Sequence, residues 1–292
     1  MNKKSASIIA GLCAAVLSLY IGLRNMVPAE DRRNPVNAEI MDSIHQAQKQ
    51  QLQITKQQTK REEPAEEKTE LPALLPREHS VEAEKAVLER IASAGGLSLE
   101  KFLADDRVTV EFRDGHVTSL RLQDYKIEDL GDIGYLPYLN ELYVVDCSTK
   151  KLKGLEYCQN LYSLQVYFNE LEEISGLQHL KKLNLLHLNG NLLSELDLTG
   201  LENLEELIVV GNPYLRKARG LNTAKKLKTA LFRQTEISDF SGLLQVPALE
   251  SVDVQQTMID TKQLRNLYEK IDSVKADVGY EELKKERKED CF

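Results

Sequence analysis

The 292-residue chain contains no tryptophan and only four cysteines, Cys13, Cys147, Cys158 and Cys291. So few and such scattered cysteines do not form a disulfide framework in a chain of this length. The cysteines lack the spacing of a zinc site, and the five histidines have no cysteine or second histidine at ligand spacing. We therefore expect no disulfide network, no metal and no cofactor.

The chain also lacks an excess of basic residues and any familiar catalytic motif. Its formal net charge is −8 and its pI is about 5.4, which argues against a nucleic-acid partner because such a partner needs a basic surface. We find no G-x-S-x-G, H-E-x-x-H, phosphate-binding glycine loop or D-x-D sequence. Some lumenal glycosyltransferases begin, as this chain does, with an uncharged stretch followed by a polar segment. The sequence shows no sign, however, of the α/β nucleotide-binding domain that those enzymes have. The sequence therefore predicts a protein that is not an enzyme.

One long stretch without charge lies near the N-terminus. Residues 5–23, SASIIAGLCAAVLSLYIGL, are 19 uncharged residues, enough to nearly cross a hydrocarbon core about 30 Å thick. We predict that residues 1–27 form a short cytoplasmic stub and a transmembrane signal-anchor, with the rest of the chain outside. The basic residues on the two sides nearly balance, so the opposite topology stays open. Cleavage after Ala29, which would make this segment a signal peptide, is a further alternative.

Residues 28–79 are polar and contain few aromatic residues. The glutamine-rich part precedes three prolines, Pro64, Pro72 and Pro76, which prevent a continuous helix. Such a composition does not bury enough apolar surface to fold alone. The sequence predicts a disordered or partly helical stalk.

The rest of the chain is dominated by a repeat. Equivalent positions are spaced by 22, 22, 22, 21, 23 and 22 residues, starting at Val117, Leu139, Leu161, Leu183, Leu204, Leu227 and Leu249. A fixed period of this size indicates stacked supersecondary units. Each unit has the pattern L-x-x-L-x-L, whose last two apolar residues point the same way in a strand. These inward pairs are Leu120/Leu122, Leu142/Val144, Leu164/Val166, Leu186/Leu188, Leu207/Val209, Ala230/Phe232 and Val252/Val254.

Eight residues after each start, a residue turns the chain away from the strand. These turn residues are Tyr125, Cys147, Asn169, Asn191, Asn212, Thr235 and Thr257. Buried amides and hydroxyls there bond the open backbone of the turn. Cys147 is therefore predicted to be structural, and Cys158 to be part of the core. Later apolar residues at steps of three suit a short 3₁₀ turn on the back.

This pattern resembles the 22-residue leucine-rich repeats of bacterial internalins and of the leucine-rich-repeat regulatory subunit of protein phosphatase 1. The resemblance covers Val117 to Asp260, although Tyr125 and Cys147 replace the usual asparagine. It implies an α/β solenoid, a horseshoe of about seven repeats with a parallel β-sheet on its concave face. It implies little about function, because these folds are binding scaffolds with unrelated partners.

Segments on both sides of the repeats are predicted to cap the solenoid. Residues 80–116 read as a helix ended by Gly95 and Gly96, a second short helix, and a hairpin that turns at Asp114 and Gly115. Residues 261–280 read as an amphipathic C-terminal cap helix, with an apolar face of Leu264, Leu267, Tyr268, Ile271 and Val274. Residues 281–292 form a charged tail.

The outward positions of the middle strands carry an unusual share of apolar residues. They form a surface that we call the outward patch: Tyr143, Val145, Tyr167, Leu185, His187, Ile208, Val210 and Leu231. Polar residues border it at both ends, as expected for an interaction site. An alternative is that aromatic and β-branched residues simply suit strands. We read His187 as a partner contact, because the sequence shows no residue that would make it a base.

The sequence thus predicts a membrane-anchored leucine-rich-repeat protein that binds a protein or peptide on its concave face. With the opposite topology, the same fold would be a cytoplasmic scaffold or a phosphatase-like regulator. A structural spacer is a third alternative. The chain contains no N-x-S/T acceptor, which disfavours a eukaryotic secretory lumen and suits a bacterial envelope protein.

Overall fold

The computed structural model describes residues 80–279, all within one compact unit. The predicted signal-anchor (1–27), the stalk (28–79) and the charged tail (281–292) lie outside the described residues. Among residues 80–279, no helix has both the length and the apolar character that crossing a bilayer requires.

The main sheet contains nine strands: one from each of the seven repeats, the hairpin partner before the first, and one further strand after the last. Their spatial order is β1 (Val108–Arg113), β2 (His116–Gln123), β4 (Glu141–Val145), β6 (Ser163–Tyr167), β7 (Leu185–His187), β9 (Glu206–Ile208), β11 (Thr229–Leu231), β12 (Ser251–Asp253) and β13 (Ser273–Lys275). β1 and β2 are antiparallel, and every later pair is parallel. This is the predicted parallel sheet of a solenoid.

The return path of each coil contains short pieces of structure. Two small parallel pairs form there, β3 (Asp129–Asp132) with β5 (Lys151–Lys153), and β8 (Glu195–Asp197) with β10 (Lys217–Arg219). The predicted 3₁₀ turns are present at Ile133–Tyr135, Leu155–Tyr157, Leu177–His179, Leu221–Thr223 and Ser241–Gln245. Close packing of the returns explains Gly220, whose φ is +71° and where an added Cβ would lie 2.4 Å from the nitrogen of Thr199.

The core lies between the main sheet and the returns. All fourteen inward residues of the seven predicted pairs have 0% exposure, as the alternation of side chains along a strand requires. Cys158 is also fully buried. The predicted inward positions are therefore confirmed.

A ladder of buried side chains joins successive coils where the chain leaves each strand. The Oδ1 atom of Asn169 accepts bonds from the backbone nitrogens of Cys147 and Thr149, both at 3.0 Å. Its Nδ2 donates to the carbonyls of Val144 (3.0 Å) and Tyr167 (2.7 Å). Asn191 and Asn212 make similar bonds, and the hydroxyls of Thr235 and Thr257 each donate to a carbonyl three residues earlier. The predicted role is confirmed for the three asparagines, whereas the threonine hydroxyls bond within their own coil and the hydroxyl of Tyr125 donates to the carboxylate of Asp105.

The segment predicted as an N-terminal cap contains helix α1 (Val81–Ala94), helix α2 (Leu99–Leu103) and the β1–β2 hairpin. Ser80 caps α1 by accepting a bond from the nitrogen of Ala83, and the hairpin turns at Asp114 and Gly115, whose φ values are +53° and +83°. α1 contributes Val87, Leu88, Ile91 and Ala92 to the same apolar core as the first coils. Its buried Glu84 accepts bonds from the nitrogen of Val117 (2.7 Å) and pairs with Nδ1 of His116 (2.8 Å).

The C-terminal segment differs from the prediction. Helix α3 spans only Thr261–Lys270, and β13 follows it instead of a helix that continues to residue 280. Val274 pairs in register with Val252, so it lies in an eighth parallel strand. The prediction was wrong here because Ile271 and Val274 are three residues apart, a spacing shared by a helix face and by the start of L-x-x-L-x-L.

Candidate functional site

The outward patch occupies the middle of the main sheet. β4 carries Tyr143 and Val145, β6 carries Tyr167, and β7 carries Leu185 and His187. Ile208 ends β9, Val210 follows two residues later, and Leu231 ends β11. Parallel pairing places Tyr143, Gln165, His187, Ile208 and Leu231 in one row across five coils. The structure therefore places the eight predicted residues on five neighbouring coils.

The residues of the outward patch are half-buried, with the exception of His187, which is 9% exposed. Their inward neighbours along each strand are fully buried. The patch thus lies on top of a completed core.

An aromatic pair lies at the N-terminal side of the patch. The rings of Tyr143 and Tyr167 meet edge to face, with centroids 5.6 Å apart, an arrangement favoured by the ring quadrupoles. The guanidinium carbon of Arg121 lies 5.7 Å from the centroid of Tyr143, and Arg121 also pairs with Glu141 at 2.8 Å. Arg121 and Glu141 form part of the polar border that the sequence predicted.

His187 has partners that the sequence did not reveal. Its Nδ1 lies 2.6 Å from the hydroxyl of Tyr167, and its Nε2 lies 3.1 Å from Oε1 of Glu206. The hydroxyl of Tyr167 donates to Oε1 of Gln165 at 2.7 Å. The Nε2 atom of Gln165 in turn donates to Oγ of Ser163 at 3.0 Å. A network of polar groups therefore connects three neighbouring coils, from Ser163 on β6 through His187 on β7 to Glu206 on β9.

The surroundings of His187 and Tyr167 favour the uncharged form of both side chains. Burial lowers the pKa of His187, against the opposite effect of Glu206. Burial, and then the nearby Tyr143 and Glu206, raise the pKa of Tyr167 to about 12. In a neutral His187 one ring nitrogen donates and the other accepts, and the hydroxyl of Tyr167 donates its single proton to Oε1 of Gln165. This arrangement fixes side-chain positions, and a tyrosine with so high a pKa is a poor nucleophile at neutral pH.

Sequence reasoning missed Phe168, the residue directly after Tyr167. Its side chain is 44% exposed, its ring centroid lies 6.5 Å from that of Tyr167, and its φ is +53°. A phenylalanine in this left-handed region is unusual. The signal was available, because Phe168 lies seven residues after the repeat start at Leu161, next to the outward column.

The described residues contain no group of three or more histidine, cysteine or acidic side chains placed to hold a metal ion. Cys147 and Cys158 are both buried, and neither forms a disulfide among the described residues. Burial raises the pKa of Cys147 to about 11, so this thiol is poorly suited to nucleophilic chemistry.

Comparison with solved structures identifies the fold. An internalin from Listeria monocytogenes, inlF, superposes with a TM-score of 0.51 and 21% identity, over 67% of this chain and 54% of that one. The chain has a leucine-rich-repeat fold. At this identity the likeness concerns the fold alone, and the chain spans about half the length of the internalin.

Two further leucine-rich-repeat structures are less similar. Internalin C2 of Listeria monocytogenes has 20% identity and a TM-score of 0.39, with 66% of this chain and 93% of that chain covered. The Leptospira interrogans leucine-rich-repeat protein LIC12759 has 19% identity and a TM-score of 0.41, with 53% and 48% covered. No family model and no curated protein sequence matches the chain. The resemblance to the phosphatase subunit stays a prediction from the repeat pattern.

Proposed function

We propose that this chain is a non-catalytic scaffold that binds a protein or peptide on the outward side of its main sheet, the concave face of the solenoid. The outward patch carries this proposal. Leucine-rich-repeat solenoids present extended concave surfaces that are commonly used for binding. Contiguous apolar patches with a polar rim mark interaction sites in soluble domains.

The packing argues that the patch is available to a partner. The inward residues of β4, β6 and β7 already close the core at 0% exposure. The half-exposed rings and aliphatic groups above them add little to the core. Tyrosine is enriched among the residues that dominate interface energetics, and Tyr143 and Tyr167 form the aromatic part of the patch.

The polar network that includes Tyr167 and His187 supports binding more than it supports the spacer alternative. A spacer needs strand-forming residues, but it has no need for a buried histidine linked to both Tyr167 and Glu206. These bonds hold the tyrosine ring in one orientation before a partner arrives. Such preorganisation lowers the entropy cost of association.

We further propose that residues 5–23 anchor the protein in a bacterial envelope, with the stalk and the repeats outside the cytoplasm. The uncharged length of the segment supports this. Residues 80–116 and the segment from α3 to β13 would then close the two ends of the solenoid. The opposite topology would make the same fold a cytoplasmic scaffold or phosphatase-like regulator.

The double variant Tyr167→Ala, Ile208→Ser tests the binding proposal. We expect pull-downs from extracts of the source cells to lose the native partner, with affinity reduced about a hundredfold or more, because a single anchor can contribute about 2 kcal/mol. The free energy of unfolding should fall by about 1–3 kcal/mol, because Tyr167→Ala removes the hydroxyl that bonds the nearly buried His187, and the variant should stay folded because the inward residues of the core are unchanged.

The matched control carries Lys181→Glu and Lys182→Glu, on the exposed turn that precedes β7. We expect this variant to capture the partner as the wild type does. If the double variant captures the same proteins as the wild type while the lysine variant loses them, the binding face has been assigned to the wrong side.

A further inference from the structure

A row of left-handed residues borders the outward face, one at the end of each of the seven coils. Their φ values lie between +50° and +73°: Asp124, Asp146, Phe168, Gly190, Gly211, Gln234 and Gln256. Backbone bonds tie the row to the next coil, from the nitrogens of Asp124 and Asp146 to the carbonyls of Val145 and Tyr167, both at 3.0 Å. Because the backbone conformation repeats, these side chains leave the chain in the same direction, about 4.8 Å apart from coil to coil.

Phe168 extends the aromatic surface of the outward patch into this row. Its ring lies over Gly190, where an added Cβ would be 2.5 Å from Cδ1 of Phe168. The rings of Tyr143, Tyr167 and Phe168 are therefore continuous, with centroid separations of 5.6 Å and 6.5 Å. Almost half of the Phe168 side chain remains exposed at the end of this series.

Two carboxylates belong to the same row, Asp146 one coil and Asp124 two coils before Phe168. Both are exposed, and neither takes part in an ion pair among residues 80–279. Partial burial, and then the charge of Asp124, raise the pKa of Asp146. Arg107 reaches only the backbone carbonyl of Asp124, at 3.4 Å.

The chain itself shows how such groups hold a cation. The guanidinium of Arg107 lies 4.5 Å from the ring centroid of Tyr125 and bonds both carboxylate oxygens of Asp105, at 2.9 and 2.7 Å. An aromatic face and a carboxylate together give a cation both quadrupole and charge attraction. Phe168 and Asp146 offer the same two groups without an internal cation.

We propose that Phe168 and Asp146, with Asp124 beside them, receive a lysine or arginine side chain of the partner. This inference rests on the proposed function, because the partner's apolar residues would lie on the outward patch next to the cation. The partner segment is therefore a peptide or loop with one basic residue flanked by aliphatic or aromatic ones. Charge complementarity supports it, since the receiving chain carries a net charge of −8.

Selection from a random dodecapeptide library on the immobilised full-length protein tests this specificity. We expect selected peptides to contain lysine or arginine at one position at least about threefold more often than the starting library. Asp146→Asn and Phe168→Gln should each abolish this enrichment. Glutamine occupies the same left-handed position at Gln234 and Gln256, so Phe168→Gln keeps a residue that the backbone accepts, and Gln256→Ala serves as the control.

A second measurement uses the strongest selected peptide with its basic residue neutralised, as citrulline for arginine or acetyl-lysine for lysine. We expect binding to weaken about tenfold. Absence of basic enrichment, equal enrichment on Asp146→Asn, or unchanged binding of the neutral peptide would each overturn the proposal. If the double variant Tyr167→Ala, Ile208→Ser abolishes peptide binding while Asp146→Asn leaves it intact, the proposed cation site is refuted and the proposed binding face stands. If neither variant affects binding, the proposed function fails as well.

Discussion

At the scale of single residues, the asparagine ladder links sequence to structure most directly. A coil that leaves its strand must satisfy backbone groups that have no partner in the sheet. One amide at a fixed position supplies both donors and acceptors, and Asn169 makes four such bonds. Cys147, Thr235 and Thr257 supply fewer bonds at the same position, so the asparagines of the middle coils carry the largest share.

Replacing Asn169 by alanine should lower the free energy of unfolding by about 2–4 kcal/mol, because buried backbone donors and acceptors lose their partner. Urea denaturation measures this. Asn184 is the control, since it is exposed and its side chain has no bond among those found in the described residues. Asn184→Ala should change stability by less than about 0.5 kcal/mol. Equal effects of the two substitutions would refute the role of the ladder.

The histidine of the outward patch predicts a pH dependence. Burial lowers the pKa of folded His187, so on acidification the unfolded chain, with an ordinary value of about 6.5, binds a proton first. Its stabilising contribution is complete above about pH 6.5 and is lost as pH falls toward the lower folded pKa. Between about pH 7.5 and 5.5 the wild type should lose more unfolding free energy than His187→Gln.

Glutamine is the suitable replacement because Gln165 holds the equivalent position one coil earlier. Denaturation of both proteins at the two pH values removes the contributions of other titrating groups from the comparison. Identical losses would show that His187 is not held neutral by the fold.

At the scale of elements, each coil depends on the two inward side chains of its strand. Leu186 is fully buried in β7, so Leu186→Ala should cost about 2–5 kcal/mol through lost burial and a residual cavity. Its neighbour Leu185 points outward, and Leu185→Ala should cost less than about 1 kcal/mol. Thermal melts of the two variants measure the difference. A melting temperature unchanged in Leu186→Ala would contradict the solenoid packing.

The elements also show where sequence reasoning succeeds and where it stops. The repeat period defines the strands and inward pairs because a strand buries alternate residues, and the seven-fold recurrence makes that pattern unmistakable. It fails at β13, where Ile271 and Val274 fit a helix and a strand equally well. The partners of His187 were not predictable either, because they depend on which side chains neighbouring coils bring together.

At the scale of the whole molecule, the predicted anchor determines in which cell fraction the full-length protein is found. Because residues 5–23 are uncharged and long enough to span a bilayer, the full-length protein should sediment with membranes. A chain that starts at Ser80 should stay in the soluble fraction and melt cooperatively. Full-length protein in the soluble fraction, with its N-terminus at Glu30, would show a cleaved signal peptide instead. Protease treatment of intact cells or spheroplasts then distinguishes the two topologies, since only a repeat domain outside the cytoplasmic membrane is cleaved.

The central claim is that a partner contacts the outward side of the main sheet, and photo-crosslinking tests it without changing affinity through large deletions. A benzophenone amino acid is placed at Leu185, on β7, or at Asp197, an exposed position of β8 on the return path. After ultraviolet irradiation with the captured partner, we expect a crosslinked product from position 185 and none from position 197. Crosslinking from position 197 with none from position 185 would contradict the account.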